Sequence, residues 1–134
     1  MDNLSTECRS ANMSAVKGRD TQPEMLVRRL SHCLGYRFRL HVSALPGKPD
    51  LVFPGRRKVI FVHGCFWHRH NCKHGLQRPK TNASFWAAKI AGNVKRDTEN
   101  CKRLKREGWR CLIVWECETK RQDKLASRIR RFLG

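Results

Sequence analysis

The sequence predicts a single α/β sandwich built on a mixed sheet, and three observations predict it. Its 134 residues, 40% hydrophobic, fit one domain with a real core but not two independent catalytic lobes. Apolar spacing switches along the chain between a helical and a two-residue period. The resulting order is helix, three strands, helix, strand, helix. We divide the chain into a polar arm, 1–19, and one domain, 20–134. No internal repeat or low-complexity segment interrupts it.

Ser, Asn, Lys and Arg dominate the arm, where a short helix is expected near 11–16. Thr21-Gln22-Pro23-Glu24 is a helix start, with Thr as N-cap, Pro in the first turn and Glu three residues on. Met25, Leu26, Leu30, Cys33 and Leu34 form its apolar face, and Gly35 ends it. Residues 36–41 alternate apolar and polar, as in a half-buried strand. Leu45-Pro46-Gly47-Lys48-Pro49 is a turn, followed by a short strand at 50–53. Residues 58–62 read as a fully buried strand, pairing with 50–53 as a hairpin across 54–57. Residues 64–80 have no period and form a loop longer than compact domains usually leave structureless, so something else must hold it. A long helix is expected over 84–106, with Trp86, Ile90, Val94, Cys101 and Leu104 on one face and Gly108 as its stop. A buried strand follows at 109–115, then a basic helix at 123–133.

Charge narrows the function. Twenty-nine Lys and Arg against 11 Asp and Glu give a net charge of +18, so the folded surface carries a strong positive field whose natural partner is a polyphosphate, usually nucleic acid. The longest apolar run, Val59-Ile60-Phe61-Val62, is far short of the roughly 20 residues that span a bilayer. No stretch pairs a basic face with a clean lipid-facing one. The opening Met1-Asp2-Asn3-Leu4 lacks a secretory pattern. A soluble intracellular protein is therefore expected.

Seven cysteines, an odd number, are unevenly placed. Cys33, Cys101 and Cys111 fall in apolar-periodic segments and read as core thiols. The segment 65–74 packs two Cys and three His into ten positions. Thiolate and imidazole together suit zinc, which takes four tetrahedral ligands in a structural role. The alternation His70-x-Cys72 aims both side chains one way, and Cys65 can close the loop back. The fourth ligand is either His74, completing a local set, or Cys117, tying the loop to the last strand. Phe66-Trp67, two large aromatics in a polar loop, either contribute to the core or protrude to stack on bases.

Carboxylates are few, so their positions inform. A nuclease needs hard oxygen donors for Mg²⁺. Asp50 at a strand start, with a neighbouring backbone carbonyl and waters, would suffice, and His68 or His63 could act as general base. The plainer alternatives are a turn residue for Asp50 and a capping-box partner for Glu24.

The run Leu45-Pro-Gly-Lys-Pro-Asp50, the block Val59-Ile-Phe-Val-His-Gly-Cys-Phe-Trp-His68-Arg-His70-Asn-Cys72, Phe85-Trp86, Asn93-Val94-x-Arg96-Asp97 and Gly108-Trp-Arg-x-Leu-Ile-Val-Trp-Glu-Cys117 resemble the very-short-patch repair (Vsr) endonucleases. Arg9-Ser10-x-Asn12-Met13-Ser14-Ala15-Val16 and Arg19-Asp20-Thr21 extend the resemblance over nearly the whole chain. It implies a restriction-endonuclease-like three-layer sandwich and nicking 5′ of the thymine in a T:G mismatch left by deaminated 5-methylcytosine. It implies Mg²⁺ on Asp50 and the Val62 backbone carbonyl, His68 activating water, and His63 and Glu24 supporting the hydrated metal. For zinc it implies Cys65, His70, Cys72 and Cys117, with His74 a bystander. Phe66 and Trp67 would wedge into the duplex. Asn12, Met13 and Arg19 of the arm, and Lys48 beside Asp50, would contact DNA. A cytosine-5 methyltransferase is the implied functional companion, mismatch-repair proteins are candidate partners, and a cytoplasmic, nucleoid-associated monomer is expected, since one mispair has no two-fold symmetry. Two features depart from the patterns expected: Val62 stands where some members carry Thr, and the Asp/Glu-x-Lys half of the common nuclease signature is missing, as it is throughout this family. The rival readings are a non-catalytic zinc-stabilised nucleic-acid-binding module and a nuclease of the same fold without strict mismatch preference.

Overall fold

Thr21 opens the first helix as its sequence demands: it is extended, and its hydroxyl accepts the Glu24 N–H at 3.5 Å. The helix, α1 (Gln22–Cys33), ends ahead of Gly35, whose φ of +93° suits a glycine. A computed structural model describes residues 21–68, 70–72, 75 and 81–134. The expected arm helix, together with Asn12, Met13 and Arg19, lies outside the described residues.

Strands β1 (Leu51–Phe53) and β2 (Lys58–His63) form the expected antiparallel hairpin, with Leu51 opposite Ile60. A 3-10 turn, Pro54–Arg56, joins them and hands the chain to Arg57 in the left-handed region. Strand β3 (Arg110–Trp115) lies parallel to β2, from Lys58↔Arg110 to His63↔Trp115. A parallel pair needs a long crossover, and α2 (Ala83–Arg106) supplies it. Gly108, at φ +90°, turns the chain from α2 into β3. A 3-10 segment, Glu116–Lys120, leads to α3 (Gln122–Leu133). Lys58 and Arg56 donate to the carbonyls of Phe132 (2.7 Å) and Leu133 (3.1 Å), placing cations at the negative end of α3.

One expected strand is corrected. Residues 36–41 contribute a single bridge, in which Arg39 and Val52 exchange N–H···O bonds of 2.8 and 3.0 Å. His41, at φ 57°, leaves extended geometry and stops the pairing there. Cys33, half-buried against the core, is disulfide-bonded and so departs from its reading as a simple thiol.

Alternation along the strands splits the core into two. Leu51, Phe53, Ile60 and Val114 face Leu26, Val27 and Leu30 of α1 and Leu125, Ala126 and Ile129 of α3. Val52, Val59 and Phe61 face Leu104 of α2, with Cys101, Cys111 and Ile113 packed around them. The sheet is thus covered on both sides, which is why β2 reads as a continuous apolar run. Each fully buried aliphatic here contributes roughly 1.5–3 kcal/mol. Among the described residues no helix is long and apolar enough to cross a membrane. Parallel pairing brings His63 and Trp115 to the same edge, the carboxyl ends of β2 and β3, where open α/β sheets place ligand sites.

Candidate active site and metal centre

His63 ends β2 two residues after Phe61, so alternation turns it to the α2 side of the sheet. There its ring stacks on His68, with centroids 3.9 Å apart and planes within 9°. His68 Nδ1 lies 2.5 Å from Asp97 Oδ2 on α2. That contact fixes Nδ1 as the carboxylate-facing nitrogen and leaves Nε2 as the one that can exchange a proton elsewhere. His63 Nδ1 is 3.9 Å from the same carboxylate, and it is buried without a hydrogen-bond partner. Burial, and then the neighbouring His68, hold His63 down at about 4, against a smaller opposing pull from Asp97. His63 is therefore a neutral imidazole at neutral pH, able to accept.

These groups share a cleft of about 210 Å³ with Lys48 and Asp50. Asp50 Oδ2 accepts the Val62 N–H at 2.6 Å, which locks the carboxylate beside β2. Burial raises Asp50 to about 6; the Val62 bond opposes this, Glu24's charge adds to it and Arg28's reduces it. Glu24 reaches this neighbourhood from the first turn of α1, with its carboxylate 3.5 Å from Arg28, and it lines an adjoining hollow with Asp50 and Lys48. Its N–H is the one Thr21 caps, while its carboxylate turns to Arg28. A half-buried carboxylate raised by burial and by a second carboxylate is short of positive charge, and a hard divalent cation fits that donor set.

A second cluster sits on the other side of Trp115. The ligand atoms of Cys65, His70, Cys72 and Cys117 all lie within 4.8 Å of one another. His70 Nδ1 is 3.7 Å from Cys65 Sγ and 3.5 Å from Cys117 Sγ. Bond lengths of 2.0–2.1 Å to nitrogen and 2.3 Å to sulfur put the N···S edge of a zinc tetrahedron at about 3.5 Å. This donor set fits that ion. Parallel register explains the fourth ligand: His63 pairs with Trp115, and two residues on, Cys65 meets Cys117, whose N–H approaches Cys65 Sγ at 3.4 Å. His74 lies outside the described residues. A Cβ at Gly75 would overlap the His70 carbonyl, so glycine lets the loop close on itself. Trp115 links the two centres, stacked on His70 at 4.2 Å and edge-on to His63 at 5.3 Å.

Phe66 is half-buried and Trp67 is 42% exposed, so neither belongs to the main core. They pack edge-to-face at 5.2 Å, and Trp86 of α2 joins them at 6.2 and 5.3 Å. Phe85, 59% exposed, extends the group against Trp86. Lys89 sits 5.8 Å over the Trp67 ring, placing a cation on this aromatic shelf. Asn93 braces the loop from α2, donating to the Trp67 carbonyl at 3.0 Å.

Reading residue types in sequence missed Asp97, Trp86, Asn93 and Trp115 as site members. Asp97 had a signal. It falls seven residues after Ile90 and seven before Leu104, a carboxylate on the stripe α2 turns to the sheet. Such a residue needs a polar partner, and His68 is that partner.

A two-sided α/β sheet that gathers two histidines, two carboxylates and Lys48 in a cleft at its parallel edge, in a chain of net charge +18, is suited to metal-assisted cleavage of a phosphodiester, the chemistry of an endonuclease. The chain belongs to the DNA mismatch endonuclease Vsr family, whose model matches residues 1–74. It is 49% identical over 132 residues to a type II nicking enzyme of Xanthomonas oryzae pv. oryzae, covering 98% of this chain and 96% of that one. It is 46% identical over 117 residues to the DNA mismatch endonuclease Vsr of Escherichia coli, covering 87% of this chain and 74% of that protein. A type II nicking enzyme of Neisseria meningitidis serogroup A is 38% identical over 132 residues, 98% and 94% of the two chains. Membership in an endonuclease family sets aside the non-catalytic binding module.

Proposed function

We propose that this protein nicks one strand of duplex DNA on the 5′ side of the thymine in a T:G mismatch, in a Mg²⁺-dependent reaction that begins very short patch repair. The observation that carries the reading is the convergence of Asp50, His63, His68 and Lys48 on one cleft, with Asp97 behind His68. The names of its relatives, a mismatch endonuclease and nicking enzymes, support the substrate and the single-strand cut. On this reading the three layers are a restriction-endonuclease-like sandwich.

Asp50 and the Val62 main-chain carbonyl would hold the cation, with His63 and Glu24 reaching it through water. When bound, Mg²⁺ supplies a Lewis acid that polarises the phosphodiester and offsets charge on the leaving oxygen. His68, oriented by Asp97, takes the proton of the attacking water through Nε2. Lys48 lies against the phosphates. Phe66 and Trp67, backed by Trp86, insert beside the mispair. A wobble pair is already poorly stacked, so opening it costs less than opening a Watson–Crick pair. The arm, with Asn12, Met13 and Arg19, reaches the far groove. Cys65, His70, Cys72 and Cys117 hold Zn²⁺, which keeps the wedge and His68 on one rigid loop. The protein works as a cytoplasmic monomer alongside a cytosine-5 methyltransferase, with mismatch-repair proteins as further partners.

The test is a nicking assay on duplexes that differ only in one T:G pair, with and without Mg²⁺. We expect one cut, in the T-bearing strand, only with Mg²⁺ and only in the mismatched duplex. Equal cutting of matched duplex would leave a nuclease without mismatch preference, and binding without cutting in Mg²⁺ would overturn the reading.

A further inference from the structure

We infer that Cys101 and Cys111 form an oxidisable dithiol site beside the catalytic cleft, which hydroperoxides convert to a disulfide stapling α2 to β3. Cys101 lies one turn beyond Asp97 on α2 and lines the cleft that holds His68 and Asp50. It also lines a hollow on its other side, together with Cys111 of β3. Both thiols are free and half-buried, and both pack on the same small core between α2 and β3, against Val52, Val59, Phe61 and Leu104. They are therefore neither sealed in the core nor engaged by the Cys/His cluster, and they face one hollow together.

Their proximity also sets their chemistry. Cys111 donates to Cys101, which lowers Cys101 to about 7 against the raising effects of burial and Asp97. Cys111 is pushed up as the donor of that bond and by burial. Attacking thiolate and resolving thiol are thus assigned. The Cys101 thiolate attacks the peroxide O–O bond, giving a sulfenic acid and hydroxide. Cys111 sulfur then displaces the sulfenic oxygen, forming the S–S bond and releasing water once its proton is transferred. Two thiols are oxidised and one peroxide is reduced.

The test treats the zinc-loaded full chain with a few equivalents of hydrogen peroxide, followed by alkylation and peptide mass mapping. We expect a Cys101–Cys111 linked peptide, two hydrogens lighter than the separate peptides and reversed by dithiothreitol. In Cys111→Ala, Cys101 is expected to be trapped as a dimedone-reactive sulfenic acid, and its alkylation at pH 7 to slow about tenfold. Cys101→Ala leaves Cys111 unoxidised at the same dose. Recovery of both cysteines fully alkylated after peroxide would overturn the proposal, as would equal oxidation of Cys111 without Cys101. The mapping on the unsubstituted protein stands even if either variant folds poorly.

Discussion

Two donor clusters lie on either side of Trp115, and they are built in opposite ways. The Cys/His cluster is local: three of its four donors fall within eight residues, and the register of two parallel strands supplies the fourth. Its donors are soft and mutually close, a closed set that leaves no position for substrate. The cleft draws Asp50 from the start of β1, His63 from the end of β2, His68 from the loop and Asp97 from α2. Its donors are hard or titratable, and it stays open to the basic surface. One cluster fixes geometry while the other uses it, so damage to each should look different.

The largest effect is expected from Cys117→Ser. Loss of one ligand should release the metal and cost at least about 3 kcal/mol of stability, with binding and nicking lost together. Metal content by mass spectrometry and a thermal melt check this; an unchanged melt would erase the contrast between the clusters. Asp50→Ala should instead show no loss of stability in the melt and keep the mismatched duplex bound, while nicking falls by about 10³-fold or more. Asp97→Asn keeps the contact to His68 but removes the charge, and a single-turnover assay should show nicking slower by about 10²-fold with binding unchanged. A loss of binding in either variant would move that residue out of chemistry and into the fold.

The smallest effect sharpens the comparison through stability alone. Asp50 is raised from 3.8 to about 6 in the folded chain, chiefly by burial. Folding therefore favours its protonated form, a stabilisation present below about pH 4 and lost as pH rises through about 6. In magnesium-free buffer at pH 8, Asp50→Asn should be more stable than the native chain by about 2 kcal/mol. The gap should close toward pH 4, and melts across that range measure it. A site that strains the fold for activity behaves this way.

The sequence read well where local chemistry decides structure. The Thr21 cap, the hairpin across 54–57 and the long helix stopped by Gly108 all rest on short-range rules, and the fold contains them. It read poorly where a single backbone conformation decides, as at His41, whose left-handed turn reduces the expected strand to one bridge. Among site residues, Cys65, His70 and Cys72 announced themselves by spacing, whereas Cys117 needed the parallel register and Asp97 the packing of α2. Trp115 carried no such mark, because an aromatic at a strand end is ordinarily core.

Pairing Cys65 with Cys117 has a topological consequence. A metal ion bridging them turns the intervening chain into a ring, and that ring contains His68, Asp97, the aromatic shelf and the whole of α2. A break in the backbone anywhere within it would leave two pieces still tethered through the ion, with the cutting apparatus split between them but not released. Such an ion would act as a clasp around this segment, and its removal would unfasten the His68 and Asp97 side of the cleft.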